Sequence, residues 1–574
     1  MKQFLRLGRF EIGIDDIEFS LKTLLVFSLI GYGCAILSFI KTYQGFTSNN
    51  WQLFLLLTAF IKLHWFWLIP LVVMTLLMIG FRYYSKIKSF DSTSRINQSS
   101  GYFGSASWAS LRDLKQINAF NSATGLPIGK FDNKTLYLPL CNKLTLSPPG
   151  TGKTSASSMT ALLSYDGPMF VFDVKGELWA VTARFRAHTL KRKVVVIDPF
   201  KVREGADFKK GKSQDLLQPD YFNPFDWIPE NKQERDRMIN AFAASFVVSE
   251  GSYAKHFDEN AKILIRGMID YILSLPKEMR TLKTLYGFLS QNSNDAELLF
   301  SQMAESSGRA AASAHQIQRV GHDERGSILS TSFRQLDWLG DSNVQETLSK
   351  SNFNLADFLK GNMDIYVILP PDQIKEYGRL CRMLLSLLMG MLLKTNPSQL
   401  PKKKMLFLFE ELAQMGHCPD VEQAIEVFRA CGVVVWSVFQ TLSQVELFDK
   451  PDLFKGAPLK QIFTNDDPKT MEWIQTLGGK KTVLTKTLSN NSGESRQAMQ
   501  VFGGNRSTGT GESIQETGVD LIPANEIREL AFNEQFIFLQ GVKPIRCQKV
   551  PYFLYPELAG RFDPNPVESN KAVN

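Results

Sequence analysis

The stretch LTLSPPGTGKTSAS, residues 144–157, constrains the fold of this 574-residue chain more than any other. A short apolar run enters a Gly-rich turn, and Gly152-Lys153-Thr154 opens a segment of helical composition. Such a turn wraps a phosphate with successive backbone N–H groups at a helix N-terminus. The full pattern asks for Gly, four residues, then Gly-Lys-Ser/Thr, and Ser147 stands where the first Gly belongs. That position is less demanding than Gly152, where backbone must approach phosphate closely; Gly150 and Gly152 supply the conformational freedom. The expected nucleotide loop is therefore Ser147, Gly150, Thr151, Gly152, Lys153, Thr154 and Ser155. Lys153 is expected to reach the β- and γ-phosphates of ATP, and Thr154 to ligate Mg²⁺.

A nucleotide-hydrolysing site also needs an acidic pair at the end of an apolar strand. MLFLFEE (405–411) supplies Glu410 and Glu411; the first would support Mg²⁺ and the second would polarise the attacking water. The next such run, VVVWSVFQ (433–440), ends in Gln440, which could sense a γ-phosphate from an adjacent strand. Arg429 lies between them at the end of a helical stretch. Taken alone, it reads as a solvated basic residue.

Apolar runs ending in polar residues alternate with helical stretches, which indicates an α/β fold with a mostly parallel sheet. Strands are expected in KLTLS, PMFVFDVKGE, KVVVIDPF, MDIYVILP and the two runs above. Between residues 230 and 345 only helical patterns occur, as in NKQERDRMINAFAASFVV and HFDENAKILIRGMIDYILSL. The expected division is a membrane anchor over 1–86, a nucleotide-binding domain over 87–229 and 346–574, and an inserted all-α domain over 230–345. The Ser/Thr/Gly/Asn-rich stretch 485–518 reads as a loop.

The anchor rests on two uncharged runs, 23–40 and 63–81, each flanked by Lys or Arg. Each is long enough to cross ~30 Å of hydrocarbon as a helix, and Trp65, Trp67, Tyr83 and Tyr84 resemble interfacial belts. Lys2, Arg6, Arg9 and Lys22 precede the first run, and Arg82, Lys86, Lys88 and Arg95 follow the second. Both ends should thus face the cytoplasm, with the main body there too. Six scattered cysteines without a CxxC pair argue for a reducing compartment and against structural zinc. His417–Cys418 is the one adjacent pair of metal-ligand types and reads as loop chemistry.

These segments together resemble a TraG-type coupling protein of type IV secretion and conjugation systems. The resemblance runs through SPPGTGKT, VFDVKGELWAVTARFR, VVVIDPF, YFNPFDW, ERGSILSTSFRQLDWL, LFLFEELAQMG, VVVWSVFQTLSQ and STGTGESIQETG, together with the two N-terminal runs. It implies a RecA-like P-loop NTPase fold, a homo-hexamer at the bacterial inner membrane, and ATP with Mg²⁺ as cofactors. It also implies as partners a relaxosome with relaxase-bound single-stranded DNA, channel subunits of the secretion system and, in some systems, secreted effector proteins. The inserted helical domain would contact the substrate. By its place between the acidic pair and Gln440, Arg429 takes the family's trans-acting arginine.

The family usually has Asp-Glu where this chain has Glu410–Glu411. An extra methylene moves the first carboxylate by about 1.5 Å, and Mg²⁺ demands near-ideal octahedral geometry. Two functions follow: an ATP-driven motor that feeds a relaxase–DNA or protein substrate to the channel, and a weakly or non-hydrolysing receptor for secreted effectors. The net charge of +8 and the clusters KRK (191–193), KKGK (209–212) and KKK (402–404) permit phosphate contact. They lack interleaved aromatic platforms, so DNA rests on the resemblance.

Overall fold

Strands buried on both faces read as unbroken apolar runs, and the runs around the Gly-rich loop are of that kind. In the computed structural model each becomes a strand of one sheet. The described residues are 101–205, 208, 216–247, 255–416, 418–494 and 506–567, two short strands, Phe4–Leu7 and Phe10–Gly13, and scattered positions before residue 74. The runs 23–40 and 63–81 lie almost entirely outside the described residues. Among the described residues no helix is long and apolar enough to cross a membrane.

The chain divides into two compact units, Met1–Phe103 with Thr482–Gly518, and Gly104–Lys481 with Val519–Asn574. The first contains the paired strands Phe4–Leu7 and Phe10–Gly13, which run antiparallel. The second holds an 11-stranded sheet. Its strands are β1 (Leu126–Phe131), β2 (Lys134–Leu138), β3 (Lys143–Leu146), β4 (Met169–Asp173), β5 (Lys193–Ile197) and β6 (Met363–Ile368). They continue with β7 (Met405–Phe409), β8 (Val433–Phe439), β9 (Leu459–Ile462), β10 (Glu534–Leu539) and β11 (Ile545–Gln548). The spatial order is β2-β1-β11-β10-β9-β3-β8-β7-β4-β6-β5. From β9 to β5 every neighbouring pair is parallel. From β9 to β2 every pair is antiparallel.

Alternation along the strands sends side chains to two separate cores. Phe170, Phe172, Phe407 and Phe409 face helix α10 (Ile374–Leu392) and the helical block. Met169, Val171, Leu406 and Leu408 face α1 (Met159–Ser164) and α2 (Glu177–Arg184), together with Val550, Tyr552 and Tyr555 near the C-terminus. Between β5 and β6 come α3 (Lys232–Phe246), α4 (Lys255–Ser274), α5 (Leu282–Leu289), α6 (Ser293–Glu305), α7 (Arg309–Arg319), α8 (His322–Leu336) and α9 (Ser342–Thr347). Asn231 caps α3 and Asn292 caps α6, each side chain accepting from two N–H groups of the first turn. Buried Phe242, Phe246, Met268 and Ile269 join this block to the core on one face of the sheet.

Two sequence expectations change. The antiparallel wing β1-β2-β10-β11 is absent from the strands expected above. A signal for its first hairpin exists, because Asp132 and Asn133 both adopt positive φ, 48° and 60°, as a tight two-residue turn requires. The expected loop over 485–518 instead contributes to strands Lys480–Glu494 and Arg506–Asp520, which pair as a separate two-stranded sheet. Lys480–Leu484, reading KKTVL, includes β-branched residues, and Gln515–Asp520 alternates exposed and half-buried positions. A ribbon with little apolar content has the composition of a loop, which is why the residue types misled.

Candidate active site

The Gly-rich loop opens at the C-terminal edge of β3. Ser147 continues that strand by donating its N–H to Phe439 O of β8 at 2.9 Å. Its hydroxyl lies 2.5 Å from Thr151 Oγ1, and Thr151 donates to Pro148 O at 2.8 Å. Serine at the first glycine position thus makes a cross-loop hydrogen bond that glycine could not. Gly150 and Gly152 hold φ of 79° and 80°, a conformation that disfavours any side chain. After Lys153 the chain turns through Thr154–Ser158 into α1. Beneath that turn, buried Lys143 donates to Ser157 Oγ at 2.7 Å and lies 4.1 Å over the Trp436 ring. Burial lowers its ammonium to about 7.

Strand β8 separates β3 from β7, so the loop and the acidic pair sit two strands apart on the same edge. The loop lysine crosses that gap, with Lys153 Nζ 3.1 Å from Glu411 Oε1. Glu411 itself adopts φ 58°, and its other oxygen accepts from the Gln414 amide. Glu410 is buried and accepts from Ser158 Oγ at 3.4 Å, and the Thr154 side chain works against its protonation. Burial, with the negative charge of Glu177 behind it, pushes the Glu410 carboxyl up to about 7. A carboxylate driven toward neutrality beside a threonine hydroxyl is an environment that a divalent cation would relieve. These residues therefore fit Mg²⁺.

Sequence reasoning missed the second carboxylate group of the site. Asp173 ends β4, fully buried, and accepts the N–H groups of Trp179 at 2.9 Å and Lys175 at 3.3 Å. Its pKa is raised by burial, opposed by the Trp179 N–H. Gly176, at φ 72°, turns the chain into α2, whose first residue Glu177 is buried and accepts from Asn565 Nδ2 at 3.0 Å. The signal for it is the Asp-Val-Lys-Gly-Glu string, residues 173–177, at the end of an apolar run.

Gln440 follows β8 beside Ser147; its N–H donates to Gln444 Oε1 at 2.7 Å, and its carbonyl accepts from buried Asn465 at 2.9 Å. Arg429 is not brought to the loop of its own chain. It lies in the turn Phe428–Cys431, after helix α11 (Pro419–Glu426), just before β8 begins. The length of β8, roughly 20 Å, thus separates it from the loop edge. Its side chain is exposed, with no hydrogen bond or ion pair among the described residues.

The two described basic clusters, 191–193 and 402–404, are partly occupied and lie where β5 and β7 begin, away from this edge. Arg192 joins Arg186 on the buried carboxylate of Asp364, Lys403 pairs with Asp166, and Lys404 donates to Leu140 O at 2.9 Å. Residues 209–212 and His417 lie outside the described residues. No cluster of three metal-ligating side chains occurs among the described residues.

The chain has relatives in sequence and in fold. The chain is 22% identical to the type IV secretion system-coupling protein VirD4 of Bartonella quintana, over 83% of this chain and 77% of that protein. It is 22% identical to the conjugal transfer protein TraG of Escherichia coli, over 71% of this chain and 69% of that one. Among solved structures it is similar to the plasmid coupling protein TrwB in complex with the ATP analogue ADPNP. That likeness has a TM-score of 0.57 at 14% identity, over 78% of this chain and 93% of TrwB. The family model described as "Type IV secretory system Conjugative DNA transfer" matches residues 107–573, from before the first sheet strand to beyond Asn565. The phosphate loop, both carboxylate groups and the sheet that aligns them all fall inside that match, and the chain belongs to this family.

Proposed function

We propose that this protein is an inner-membrane ATPase of the coupling class, energising delivery of a relaxase–DNA or protein substrate to a type IV secretion channel. The observation that carries the reading is the Lys153–Glu411 ion pair beside buried Glu410, whose charge the Thr154 side chain favours. It joins a phosphate-binding lysine to a base, and a cation-ligand pair to both, at one sheet edge. The runs 23–40 and 63–81 are its membrane helices, both ends face the cytoplasm, and the inserted helical block 230–345 contacts the substrate. The assembled form is a homo-hexamer.

In this reading ATP enters with its phosphates in the loop, and Lys153 leaves Glu411 for the β- and γ-phosphate oxygens. Glu411, freed from its cation, accepts a hydrogen bond from water. As the water oxygen bonds to the γ-phosphorus, its proton passes to the Glu411 carboxylate, and the bond to the β–γ bridging oxygen breaks. Thr154 and Glu410 would hold Mg²⁺, which when bound would supply positive charge to the site. Gln440 reports on the γ-phosphate from β8. Arg429, too distant from its own loop, serves the site of a neighbouring subunit.

The test is a steady-state ATPase assay on the full chain with and without single-stranded DNA, using Lys153→Ala as control. DNA-stimulated turnover abolished by Lys153→Ala is the expected result. Turnover unstimulated by DNA favours a protein substrate; no turnover with intact ATP binding favours the receptor in which Glu410 has replaced the usual Asp. Turnover unchanged in Lys153→Ala overturns the site.

A further inference from the structure

Lys549 has no part in that mechanism, yet it touches the phosphate loop. It follows β11, and its N–H donates to Asn533 O at 2.7 Å. Its side chain is buried, and its Nζ donates to the carbonyl of Thr151 at 2.5 Å. Two rings flank the ammonium, Phe532 at 4.1 Å and Phe463 at 4.6 Å. Phe463 follows β9 and donates its N–H to Leu146 O, the last residue before the loop. Burial lowers the ammonium to about 8. No carboxylate forms an ion pair with it among the described residues, so a loop carbonyl and two aromatic faces hold the charge.

The peptide between Thr151 and Gly152 is trans. In a trans peptide the C=O and the following N–H point in opposite directions. Fixing the Thr151 oxygen on Lys549 therefore fixes the Gly152 N–H on the other side of the plane. This plane would otherwise turn easily, because Gly152, at φ 80°, has no side chain to resist it. The cross-loop contact of Ser147 with Thr151 restrains the hydroxyl and leaves the carbonyl free. We propose that Lys549 is a positioning residue for nucleotide binding: it locks the 151–152 peptide so that the Gly152 N–H donates to the β-phosphate. This rests on the nucleotide site proposed above. It makes the loop's donor geometry depend on the closing strands β10 and β11.

The test compares Lys549→Met, Lys549→Gln and Lys549→Arg in the full chain, with Lys153→Ala as control, by equilibrium binding of Mg²⁺–ADP and Mg²⁺–ATP. Losing a hydrogen bond from a charged group should raise Kd about tenfold or more in both neutral variants. ADP and ATP should lose equally, because both carry the β-phosphate. Lys549→Arg should restore much of the affinity, and the melting temperature should stay near wild type. Wild-type ADP affinity in Lys549→Met and Lys549→Gln, with binding lost in Lys153→Ala, overturns Lys549 alone. Unchanged binding in Lys153→Ala as well overturns the nucleotide site and this inference with it. A loss confined to ATP, a loss equally large in Lys549→Arg, or unfolding of both neutral variants also overturns positioning.

Discussion

Glu411→Gln should tighten ATP binding while stopping hydrolysis. Glu411 holds Lys153 at 3.1 Å, with the two side chains only 10% and 17% exposed. ATP must take the lysine from this partner, so the ion pair competes with binding. A partly buried pair has a gross attraction of about 5 kcal/mol at an effective dielectric of ~20. Desolvation and ordering remove most of it, leaving a net value of about 1 kcal/mol. Glutamate accepts from Lys153 on one oxygen and from Gln414 on the other; glutamine has a single oxygen, so it keeps one of these two acceptors and removes the charge. The backbone at φ 58° costs the same for either residue. Removing the charge should therefore lower the ATP Kd about fivefold, while the loss of the base lowers single-turnover hydrolysis by ~10²–10⁴. Both are read on one preparation, Kd by equilibrium binding with Mg²⁺ and hydrolysis by phosphate release. A Kd equal to or weaker than wild type would show that the pair does not compete. Hydrolysis within threefold of wild type, as about 0.6 kcal/mol of barrier, would remove Glu411 as the base.

Three further outcomes follow from the geometry. Arg186 is fully buried; it donates to both oxygens of Asp364 and to the carbonyls of Leu162, Tyr165 and Gly167. Arg186→Ala should therefore cost about 3–5 kcal/mol in denaturant unfolding, and a loss under about 1 kcal/mol would mean that Arg192 suffices for Asp364. Glu410 is raised to about 7 from 4.5, first by burial, so the folded state holds a proton that the unfolded state releases. Its stabilising contribution is full below pH 4.5 and is lost as pH rises through about 7; Glu410→Gln should flatten the fall in melting temperature over that window, and an unaltered profile would refute the assignment. Arg429→Ala and Lys153→Ala should each be inactive but regain ATPase activity when mixed, one giving the loop and the other the arginine. A flat profile over all ratios, with mixed assembly shown independently, would reject Arg429 as acting in trans.

What the sequence made legible was local. The strand–loop–helix passage through 144–157 and the acidic end of 405–411 are each contained within one short window, where residue type and geometry coincide. Helix α4 was readable over almost its whole length because its apolar face repeats at helical spacing. The sheet's order was not readable. That β8 lies between β3 and β7 depends on which runs pair, and VVVWSVF, apolar but for Ser437, and MLFLF fit any interior place. The antiparallel wing escaped for a related reason: its strands are short and interrupted by polar residues such as Gln535, which is buried and bonded to Gln461 across the sheet.

That wing also shows why residue roles are harder to read than motifs. Lys549 belongs to no pattern, and near Pro551 and Tyr552 it resembles any solvated lysine in a closing loop. Only the pairing of β9 with both β3 and β10 turns the end of β11 back toward the phosphate loop. The segment beyond it then runs under α1 and α2 to Asn565, which reaches Glu177. One C-terminal stretch thus meets the site twice, at the loop carbonyl and at the carboxylate behind Glu410. Both contacts come from the stretch that follows β11. A perturbation at β10 or β11 should move nucleotide affinity without altering any residue of the recognised motifs.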